Sequence, residues 1–381
     1  MKLLIVVTHL LGSGHLSRAL TLGRAFAAAG HQVSVASGGM PVAQLDHAGI
    51  ELIQLPPLRS DGVNFTRLLN EDGQVASHSY LQTRQTLLAQ AMQRLRPDVL
   101  ITELFPFGRR SLKHEFQKLL QQAKDIETPL VLGSIRDILA PPSKPAKVEF
   151  ADEMIKRFYN GILVHSDPNL TPLSLSWPVS ATLEKNLHYT GFVAPAPPQP
   201  HPMNSGKGEI IVSAGGGDVG TKLFNTAIAA AVQDPKRIWR ILVGGANAQA
   251  KIKQLAPTSP DNVQIEAARP DFRQMLNHAD VSVSMCGYNT ALDVLQTGVS
   301  AVFVPFDAGG EVEQSLRAKA LSEQPNIAVL KDSDLSVETL ILTIRRIQNL
   351  DSANKSKTSF DGATKTVNII ETMLSETAHD G

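Results

Sequence analysis

The sequence predicts an α/β protein of two domains, each built on a parallel β-sheet, with the two sheets facing a cleft. Three observations lead to this prediction. The chain has 381 residues, more than one ordinary hydrophobic core encloses. A strand, a glycine-rich loop and a helix open each half of the chain, at residues 3–29 and 209–233. Between the halves lies a proline-rich run from Ala194 to Pro202 that no regular element accommodates.

The first half alternates strands and helices. A strand at Leu3–Thr8 leads through the loop Gly12–His15 into a helix at residues 16–29, whose apolar residues repeat at helical spacing while Arg18 and Arg24 lie away from that face. Further strands are predicted at residues 31–36, 98–102, 129–133 and 162–165, and a further helix at residues 76–96. We assign residues 1–195 to this N-terminal domain.

The same alternation restarts after a linker at residues 196–206. Strands are predicted at residues 209–213, 239–243, 263–266, 281–284 and 301–304, and a helix at residues 221–233. Strands that alternate with helices form parallel sheets, which bind ligands at the carboxyl ends of their strands. We assign residues 207–360 to a C-terminal domain and expect residues 361–381 to form a helix that packs back on the N-terminal domain.

Composition and charge exclude several classes of protein. Hydrophobic residues make up 43% of the chain, and 36 basic residues balance 36 acidic ones. This balance provides no field that attracts nucleic acid, so no nucleic-acid partner is expected. Cys286 is the single cysteine, which excludes an intramolecular disulfide and a cysteine-rich metal cluster. No apolar run reaches the ~18 residues that span a bilayer, so we expect a cytoplasmic protein, with peripheral membrane contact left open.

The segment from Ser284 to Gln314 is the strongest candidate for a phosphate site. A strand runs into Gly287, and a helix is expected to begin near Asn289 or Thr290, either of which is a suitable N-cap. The glycine permits close approach of a phosphate, while free amides and the helix dipole supply partial positive charge. An ordinary strand–turn–helix unit with a capping asparagine explains the same residues, and both interpretations stay open.

Other residues of this half are candidates for the rest of a nucleotide-sugar site. Acidic and amide side chains at helix starts accept hydrogen bonds from sugar hydroxyls, and a glycine-rich loop or an arginine binds phosphate. Each also has an ordinary structural explanation, as a turn or a solvated charge. The candidates are Gly215, Gly216, Gly217, Arg269, Tyr288, Asp293, Glu313 and Gln314.

His15 is the catalytic candidate of the first half. It follows the first strand at the start of the first helix, where the helix dipole disfavours an imidazolium and keeps the ring neutral. A neutral imidazole acts as a general base toward a hydroxyl. A histidine that only lines the loop stays an alternative, and Glu103 or Asp137 would replace it as the base.

Charged residues that follow the other strands of this half are candidate contacts for an acceptor. Arginine forks bind carboxylate or phosphate, which favours an acceptor that carries such a group. These candidates are Gly14, Glu103, Arg109, Arg136 and Asp137, with Arg110 beside them.

Asp332-Ser333-Asp334 has the form of a metal-binding Asp-x-Asp motif. It stands immediately before a predicted helix, where acidic residues cap the helix and complement its dipole. We therefore expect helix capping here, and neither a metal nor a cofactor.

These segments resemble glycosyltransferases of the GT-B fold. Met285–Thr290, followed by Asp293, Gly298, Pro305 and Glu313-Gln314, is similar to the donor-binding signature of that fold. The plant enzymes carry a histidine where Met285 stands, which disfavours the plant-type subgroup. The chain is closer to bacterial predicted glycosyltransferases related to the MurG type, which are family 28-like. The segments that carry this likeness are residues 12–18, 103–110, 134–139, 165–168, 189–193 and 285–290.

The resemblance implies two Rossmann-like domains and an enzyme of glycan biosynthesis. Such an enzyme moves a hexosyl or N-acetylhexosaminyl group from a nucleoside-diphosphate sugar, with a UDP-sugar favoured, to an acceptor hydroxyl, with inversion and without a metal. Two alternatives stay open. The start of the chain also resembles the UDP-sugar hydrolase of pseudaminic acid synthesis, in which water is the acceptor, although the long stretch 56–160 favours a bulkier acceptor. The other alternative is a non-catalytic protein that binds a sugar nucleotide.

Overall fold

The computed structural model of the chain describes residues 1–60, 67–215, 219–245, 247–306, 312–348 and 358–379. The chain forms two compact units, one of Met1–Pro195 with Ser359–Gly381 and the other of Ala196–Thr358. Each unit is described by itself below.

The first unit is built on a parallel sheet of seven strands in the order β3-β2-β1-β4-β5-β6-β7. The strands are β1 Lys2–Val7, β2 Gln32–Gly39, β3 Glu51–Leu58, β4 Val99–Glu103, β5 Leu130–Arg136, β6 Gly161–His165 and β7 Leu187–Tyr189. The helices between them are α1 Gly14–Ala28, α2 His78–Leu95, α3 Lys113–Asp125, α4 Ala146–Phe158 and α5 Ala181–Glu184. The chain order reverses direction at β1 and β4, so their carboxyl ends meet at the switch point where ligands bind in such sheets.

Both faces of this sheet are covered, because alternate side chains of each strand enter different cores. Leu4 and Val6 of β1 pack with residues of α2, α3 and α4 on one face. Leu3 and Ile5 pack on the other face with residues of α1. The strands at the centre therefore read as continuous apolar runs, which is why they were predictable from the sequence.

The second unit is built on a parallel sheet of six strands in the order β10-β9-β8-β11-β12-β13. The strands are β8 Ile210–Ser213, β9 Trp239–Val243, β10 Val263–Ala267, β11 Val281–Ser284, β12 Ala301–Phe303 and β13 Ile327–Val329. The helices are α6 Thr221–Val232, α7 Ala248–Leu255, α8 Phe272–Leu276, α9 Tyr288–Thr297, α10 Glu313–Leu321 and α11 Val337–Gln348. The chain order reverses at β8 and β11, and β11 leads directly into the segment that contains Gly287.

The proline-rich segment lies along the second unit. The carbonyl of Ala196 accepts a hydrogen bond from Arg273 at 3.0 Å, and the carbonyl of Pro198 accepts one from Asn277 at 3.0 Å. His201 Nε2 lies 2.9 Å from Asp271 Oδ2. These bonds fix residues 196–201 to α8 and the loop before it.

The last helix of the chain, α12 Gly362–His379, belongs to the first unit and packs against α1. Val367 and Ile370 of α12 enter the core that β1 shares with α1. Immediately before the helix, the ring of Phe360 stacks on that of Phe192, with centroids 6.2 Å apart. Among the helices of the described ranges, none is long and apolar enough to cross a membrane.

Candidate active site

His15 and Glu103 meet at the carboxyl ends of the two central strands of the first sheet. His15 is the second residue of α1, which begins directly after the loop that follows β1, and Glu103 is the last residue of β4, the neighbour of β1. His15 Nδ1 lies 2.8 Å from Glu103 Oε1. The Glu103 side chain is only 2% exposed and that of His15 13% exposed. The two residues therefore form a largely buried pair.

Arg18 completes this pair as the counter-ion of the carboxylate. Its guanidinium donates a hydrogen bond to Glu103 Oε1, and its side chain is only 3% exposed. Burial acts to raise the pKa of Glu103, but the charge of Arg18, followed by the bonds from His15 and Ser134, outweighs it and holds that pKa at about 2. Glu103 is therefore a carboxylate at neutral pH. The prediction that Arg18 lies away from the buried face of α1 was wrong. The Glu103 carboxylate, at the end of β4, lies beside this turn of α1 and accepts a hydrogen bond from the buried Arg18.

The protonation of His15 follows from this arrangement. Burial lowers the pKa of His15 to about 3, although the hydrogen bond to Glu103 acts to raise it. The neutral ring must carry its proton on Nδ1, because that nitrogen faces a carboxylate oxygen, which only accepts. Arg18 Nη2 also approaches Nδ1 to 3.2 Å, but a protonated nitrogen cannot accept, so Arg18 bonds to Glu103. The lone pair of Nε2 is left available, since Nε2 forms no hydrogen bond with another residue in the described part of the chain.

Glu103 thus serves as the partner of His15. The alternative in which Glu103 replaces His15 as the base conflicts with the burial of Glu103, since both of its oxygens already accept hydrogen bonds from His15, Arg18 and Ser134.

Arg109 is the other cation beside His15. Its backbone adopts a left-handed conformation with φ 57°, and its Nε donates to the carbonyl of Thr8 at the end of β1. Burial lowers the pKa of Arg109 to about 10, while Glu103 acts to raise it, so the group stays charged at neutral pH. Its charge also acts to lower the pKa of His15. A contact of Arg109 with an anionic group of an acceptor stays a prediction.

The remaining acceptor-side candidates lie at the same edge of the sheet. Arg136 ends β5, and its Nε donates to the carbonyl of Ile138 at 3.2 Å. Asp137 follows it and is only 1% exposed. A Cβ added to Gly14 would meet no heavy atom within 4 Å, so the space beside the start of α1 is open. A contact of these residues with an acceptor stays a prediction.

In the second unit, α9 begins at Tyr288 with Gly287 as its N-cap, and no side chain caps it. The prediction that Asn289 or Thr290 caps this helix was therefore wrong. The helix begins earlier in the chain, at Tyr288, and Thr290 is buried in its first turn. The first amides of α9 have no acceptor within the helix, as at any helix N-terminus. A Cβ at Gly287 would meet no atom within 4 Å, so space is open in front of the glycine.

Arg317 supports this turn from α10, and sequence reasoning missed it. The residue is 2% exposed, its Nη1 donates to the carbonyl of Cys286 at 3.0 Å, and its guanidinium carbon lies 5.7 Å from the centre of the Tyr288 ring. The only sequence signal was its spacing of one helical turn from Gln314 on α10. Arg317 links the segment before α9 to α10.

Glu313 and Gln314 begin α10. Gln314 Oε1 accepts a hydrogen bond from the amide of Phe306 at 3.1 Å. Gln314 therefore contacts the segment that follows β12. It lies on the same helix as Arg317. The contact of this pair with a sugar stays a prediction.

Asp293 forms an ion pair within the second unit. Arg273 Nε donates to its Oδ1 at 2.7 Å, and Arg273 also donates to Gln296 at 2.6 Å. Burial raises the pKa of Asp293 to about 6, although Arg273 acts to lower it. One carboxylate oxygen is thus occupied by a cation, so the predicted recognition of a hydroxyl depends on the other oxygen.

The remaining donor-side candidates are not brought to α9 by any contact of the described residues. Arg269 donates to Asp271 at 2.8 and 2.6 Å and approaches Glu266 at 3.4 Å, so carboxylates engage its guanidinium. Gly215 has φ +75°, and its amide donates to Ser213 Oγ at 3.1 Å. Gly216 and Gly217 lie outside the described residues. Their role in phosphate binding stays a prediction.

The Asp-x-Asp motif forms a short 3-10 turn at Asp332–Asp334. The hydroxyl of Ser336, and not an aspartate, accepts from the amide of Thr339 at the start of α11, so the prediction that the aspartates cap this helix was wrong. Asp332 instead pairs with Lys222 at 3.0 Å. Among the described residues, no group of three or more His, Cys, Asp or Glu side chains is placed to hold a metal ion.

Comparison with known proteins finds a family model that matches part of the chain. Residues 211–373 match the model of the glycosyltransferase family 28 C-terminal domain. Two curated relatives are named UDP-N-acetylglucosamine--N-acetylmuramyl-(pentapeptide) pyrophosphoryl-undecaprenol N-acetylglucosamine transferase. The one from Vibrio atlanticus is 29% identical over 142 residues, which are 37% of this chain and 40% of the relative. The one from Dichelobacter nodosus is 22% identical over 207 residues, which are 54% of this chain and 56% of the relative. The chain thus spans about half the length of the curated relatives it matches.

Solved structures match the whole chain. MurG of Acinetobacter baumannii is 17% identical with a TM-score of 0.62, and the match covers 98% of this chain and 100% of that one. The calicheamicin glycosyltransferase CalG4 is 16% identical with a TM-score of 0.67, and the match covers 98% of both chains. At these identities the likeness shows the fold. The predicted GT-B architecture of two Rossmann-like domains with parallel sheets is confirmed.

Proposed function

We propose that this chain, a relative of the MurG-type glycosyltransferases of family 28, moves a sugar from a nucleoside-diphosphate sugar to the hydroxyl of an acceptor. A UDP-sugar is the favoured donor, because the curated relatives are named for UDP-N-acetylglucosamine. The transferred group is then a hexosyl or N-acetylhexosaminyl group. The charge of Arg109 beside His15 favours an acceptor that carries phosphate or carboxylate.

The observation that carries the chemistry is the pair of His15 and Glu103. The lone pair of His15 Nε2 takes the proton of the acceptor hydroxyl, and the oxygen forms a bond to the anomeric carbon of the donor sugar. The bond from that carbon to the diphosphate oxygen breaks, and the nucleoside diphosphate leaves with the bonding electrons. One displacement of this kind inverts the anomeric configuration. The imidazolium that results lies 2.8 Å from the Glu103 carboxylate, which stabilises its charge.

The leaving diphosphate is stabilised in this proposal by the protein alone. The free amides at the N-terminus of α9 supply donors and partial positive charge for the diphosphate, and Gln314 and Asp293 are proposed to recognise sugar and ribose hydroxyls. Transfer should therefore continue in the presence of a chelator such as EDTA.

The test uses the purified full chain with UDP-N-acetylglucosamine and UDP-glucose, and with hydroxyl acceptors that carry or lack a phosphate or carboxylate. Released UDP and glycosylated product are measured for wild type and His15→Ala. We expect His15→Ala to lose about 10²- to 10⁴-fold in kcat while UDP still raises its melting temperature as in wild type, because the donor diphosphate does not depend on the base.

Three results would change the proposal. Full activity of His15→Ala would remove the base. Free sugar released by wild type without any acceptor would identify a hydrolase that uses water. A melting temperature that none of UDP, dTDP, GDP and ADP raises would contradict the donor site.

A further inference from the structure

A line of buried polar side chains continues from Glu103 across the neighbouring strands. Ser134 Oγ donates to Glu103 Oε2 at 2.6 Å, and these two residues are directly paired in the β4–β5 register. His165 Nε2 lies 3.0 Å from Ser134 Oγ, and His165 Nδ1 lies 2.8 Å from Thr190 Oγ1. Ser134, His165 and Thr190 are fully buried. The mechanism proposed above makes no use of these three residues.

The directions of the hydrogen bonds made by Ser134 Oγ and His165 Nε2 follow from the charge of Glu103. A carboxylate only accepts, so the single hydroxyl proton of Ser134 is given to Glu103. Ser134 Oγ must then accept from His165, which places the His165 proton on Nε2. His165 Nδ1 is left as an acceptor that faces Thr190 Oγ1, whose single proton is shared between this nitrogen and the Gly191 carbonyl, both at 2.8 Å. The donors of Ser134 and His165 therefore point toward the carboxylate.

This direction gives the two histidines opposite tautomers. His15 carries its proton on Nδ1 and His165 carries its proton on Nε2, although both lie within one connected network. Burial lowers the pKa of His165 to about 3, with Arg18 lowering it further and Glu103 acting to raise it. The charged groups that face His15 are Glu103, Arg18 and Arg109. Both rings therefore stay neutral at physiological pH.

We propose that Ser134, His165 and Thr190 are positioning residues that orient the Glu103 carboxylate and thereby fix the proton of His15 on Nδ1. This inference rests on the proposed function, because the fixed tautomer matters for catalysis only where His15 Nε2 is the base. Ser134 holds Oε2, so Oε1 is kept toward His15 and Arg18. Without that bond the carboxylate is free to rotate, and the imidazole loses the acceptor that selects its tautomer.

The burial of the network supports this role over a purely structural one. A polar side chain in a sheet between apolar cores costs free energy unless each of its groups is bonded, and an aliphatic residue at these positions would avoid that cost. The network instead ends on the one carboxylate that contacts His15. Hydrogen bonds to a charged group are among the stronger ones, which makes Ser134 the member with the largest expected effect.

The experiment measures tautomers and kinetics in Ser134→Ala. Histidine labelled with ¹⁵N is introduced into the full chain, and His15→Gln and His165→Asn variants assign the two rings. In wild type we expect His15 as the Nδ1–H tautomer and His165 as the Nε2–H tautomer, both neutral from pH 5 to 8. In Ser134→Ala we expect a mixture of tautomers at His15 and a kcat about 10- to 100-fold lower, with the KM for the donor unchanged.

Ser37→Ala is the matched control. Ser37 is also a fully buried serine near the carboxyl end of a strand of this sheet, and its hydroxyl has no hydrogen-bond partner recorded in the described part of the chain. It should leave both the tautomers and kcat at the wild-type values. The inference is overturned if wild-type His165 carries its proton on Nδ1, or if Ser134→Ala keeps the His15 tautomer and kcat of wild type. The wild-type spectrum needs no substrate, so it tests the network even where no sugar transfer is found, an outcome that would contradict only the proposed function.

Discussion

Replacing Glu103 by glutamine removes the charge that the candidate base depends on while nearly keeping the shape of the side chain. The carboxylate accepts hydrogen bonds from His15, Arg18 and Ser134. A glutamine amide has one oxygen that accepts and one nitrogen that only donates. One or more of the three donors therefore loses its acceptor, and the imidazolium formed during transfer loses its counter-charge.

The expected loss follows from the distance in the pair. Two unit charges about 4 Å apart interact by about 4 kcal/mol at the effective dielectric constant of ~20 found near protein sites. The 2.8 Å contact between His15 Nδ1 and Glu103 Oε1 is at least this close. A loss of ~4 kcal/mol from the transition state lowers kcat by about 10³-fold. The KM for the donor should not change, because Glu103 contacts the base and not the diphosphate in this proposal.

The same substitution also destabilises the first unit, since it removes the counter-ion of the buried Arg18. Breaking a buried ion pair costs about 3 to 5 kcal/mol. The chain offers a matched control in Arg84 and Glu115, a second buried pair of the same unit, with contacts of 3.0 Å from Nε and Nη2 of Arg84. Their side chains are 0% and 2% exposed, and neither contacts His15.

The assay compares Glu103→Gln with Glu115→Gln. The free energy of unfolding is measured with urea, and UDP release is measured at a temperature at which both variants are folded. Both variants should lose stability, but only Glu103→Gln should lose about 10³-fold in kcat. Equal kcat values for the two variants would refute the assignment of Glu103 as the partner of the base.

Three other predictions concern His15, His165 and Arg317. Because the pKa of His15 lies at about 3, its base form persists as pH falls, so His15 should contribute no acid limb near pH 6.5 to a profile of kcat/KM from pH 4 to 9. Asp293, whose pKa is about 6, would contribute a limb of its own, so the profile is measured in Asp293→Asn, where a limb at 6.5 would contradict the buried, neutral ring. His15 and His165 have lower pKa values folded than unfolded, about 3 against 6.5 for both, so their stability contribution is present above pH 6.5 and lost as pH falls toward 3. The free energy of unfolding, measured with urea, should therefore fall by up to about 3 kcal/mol per pH unit in that window, and a flat response would count against this. Arg317→Met should raise the KM for the donor about 10-fold with kcat unchanged, since the substitution removes the hydrogen bond to the Cys286 carbonyl. A lower kcat with an unchanged KM in steady-state kinetics would contradict a role of Arg317 in the donor turn.

The sequence predicted the two sheets because their central strands are apolar throughout and are separated by glycine turns. Glu51–Leu58 was not predicted, since Pro56 and Pro57 interrupt it. The structure places this strand at the edge of the sheet. Proline cannot donate a hydrogen bond to a neighbouring strand, and an edge strand tolerates this because it has a neighbour on one side only. Edge position is a property of the strand order, which no local pattern reveals.

Buried charges were the other features that the sequence could not reveal. Arg18 and Arg317 interrupt apolar patterns and therefore read as surface residues. Each is buried because an acceptor from another element lies beside it, the Glu103 carboxylate for Arg18 and the Cys286 carbonyl for Arg317. Those acceptors are 85 and 31 residues away along the chain. Only the packed structure brings them together.

The two halves of the candidate site differ in how far sequence reasoning reaches, and the difference is physical. The donor turn is contiguous, so one short segment displays it. The network around the base is assembled from five separate segments of the chain, one residue from each: His15, Glu103, Ser134, His165 and Thr190. Each of these five comes from a different one of the five segments of the first half that resemble the bacterial glycosyltransferases. Segments far apart in the chain need not share a purpose, but these meet in one line of hydrogen bonds that ends on the imidazole.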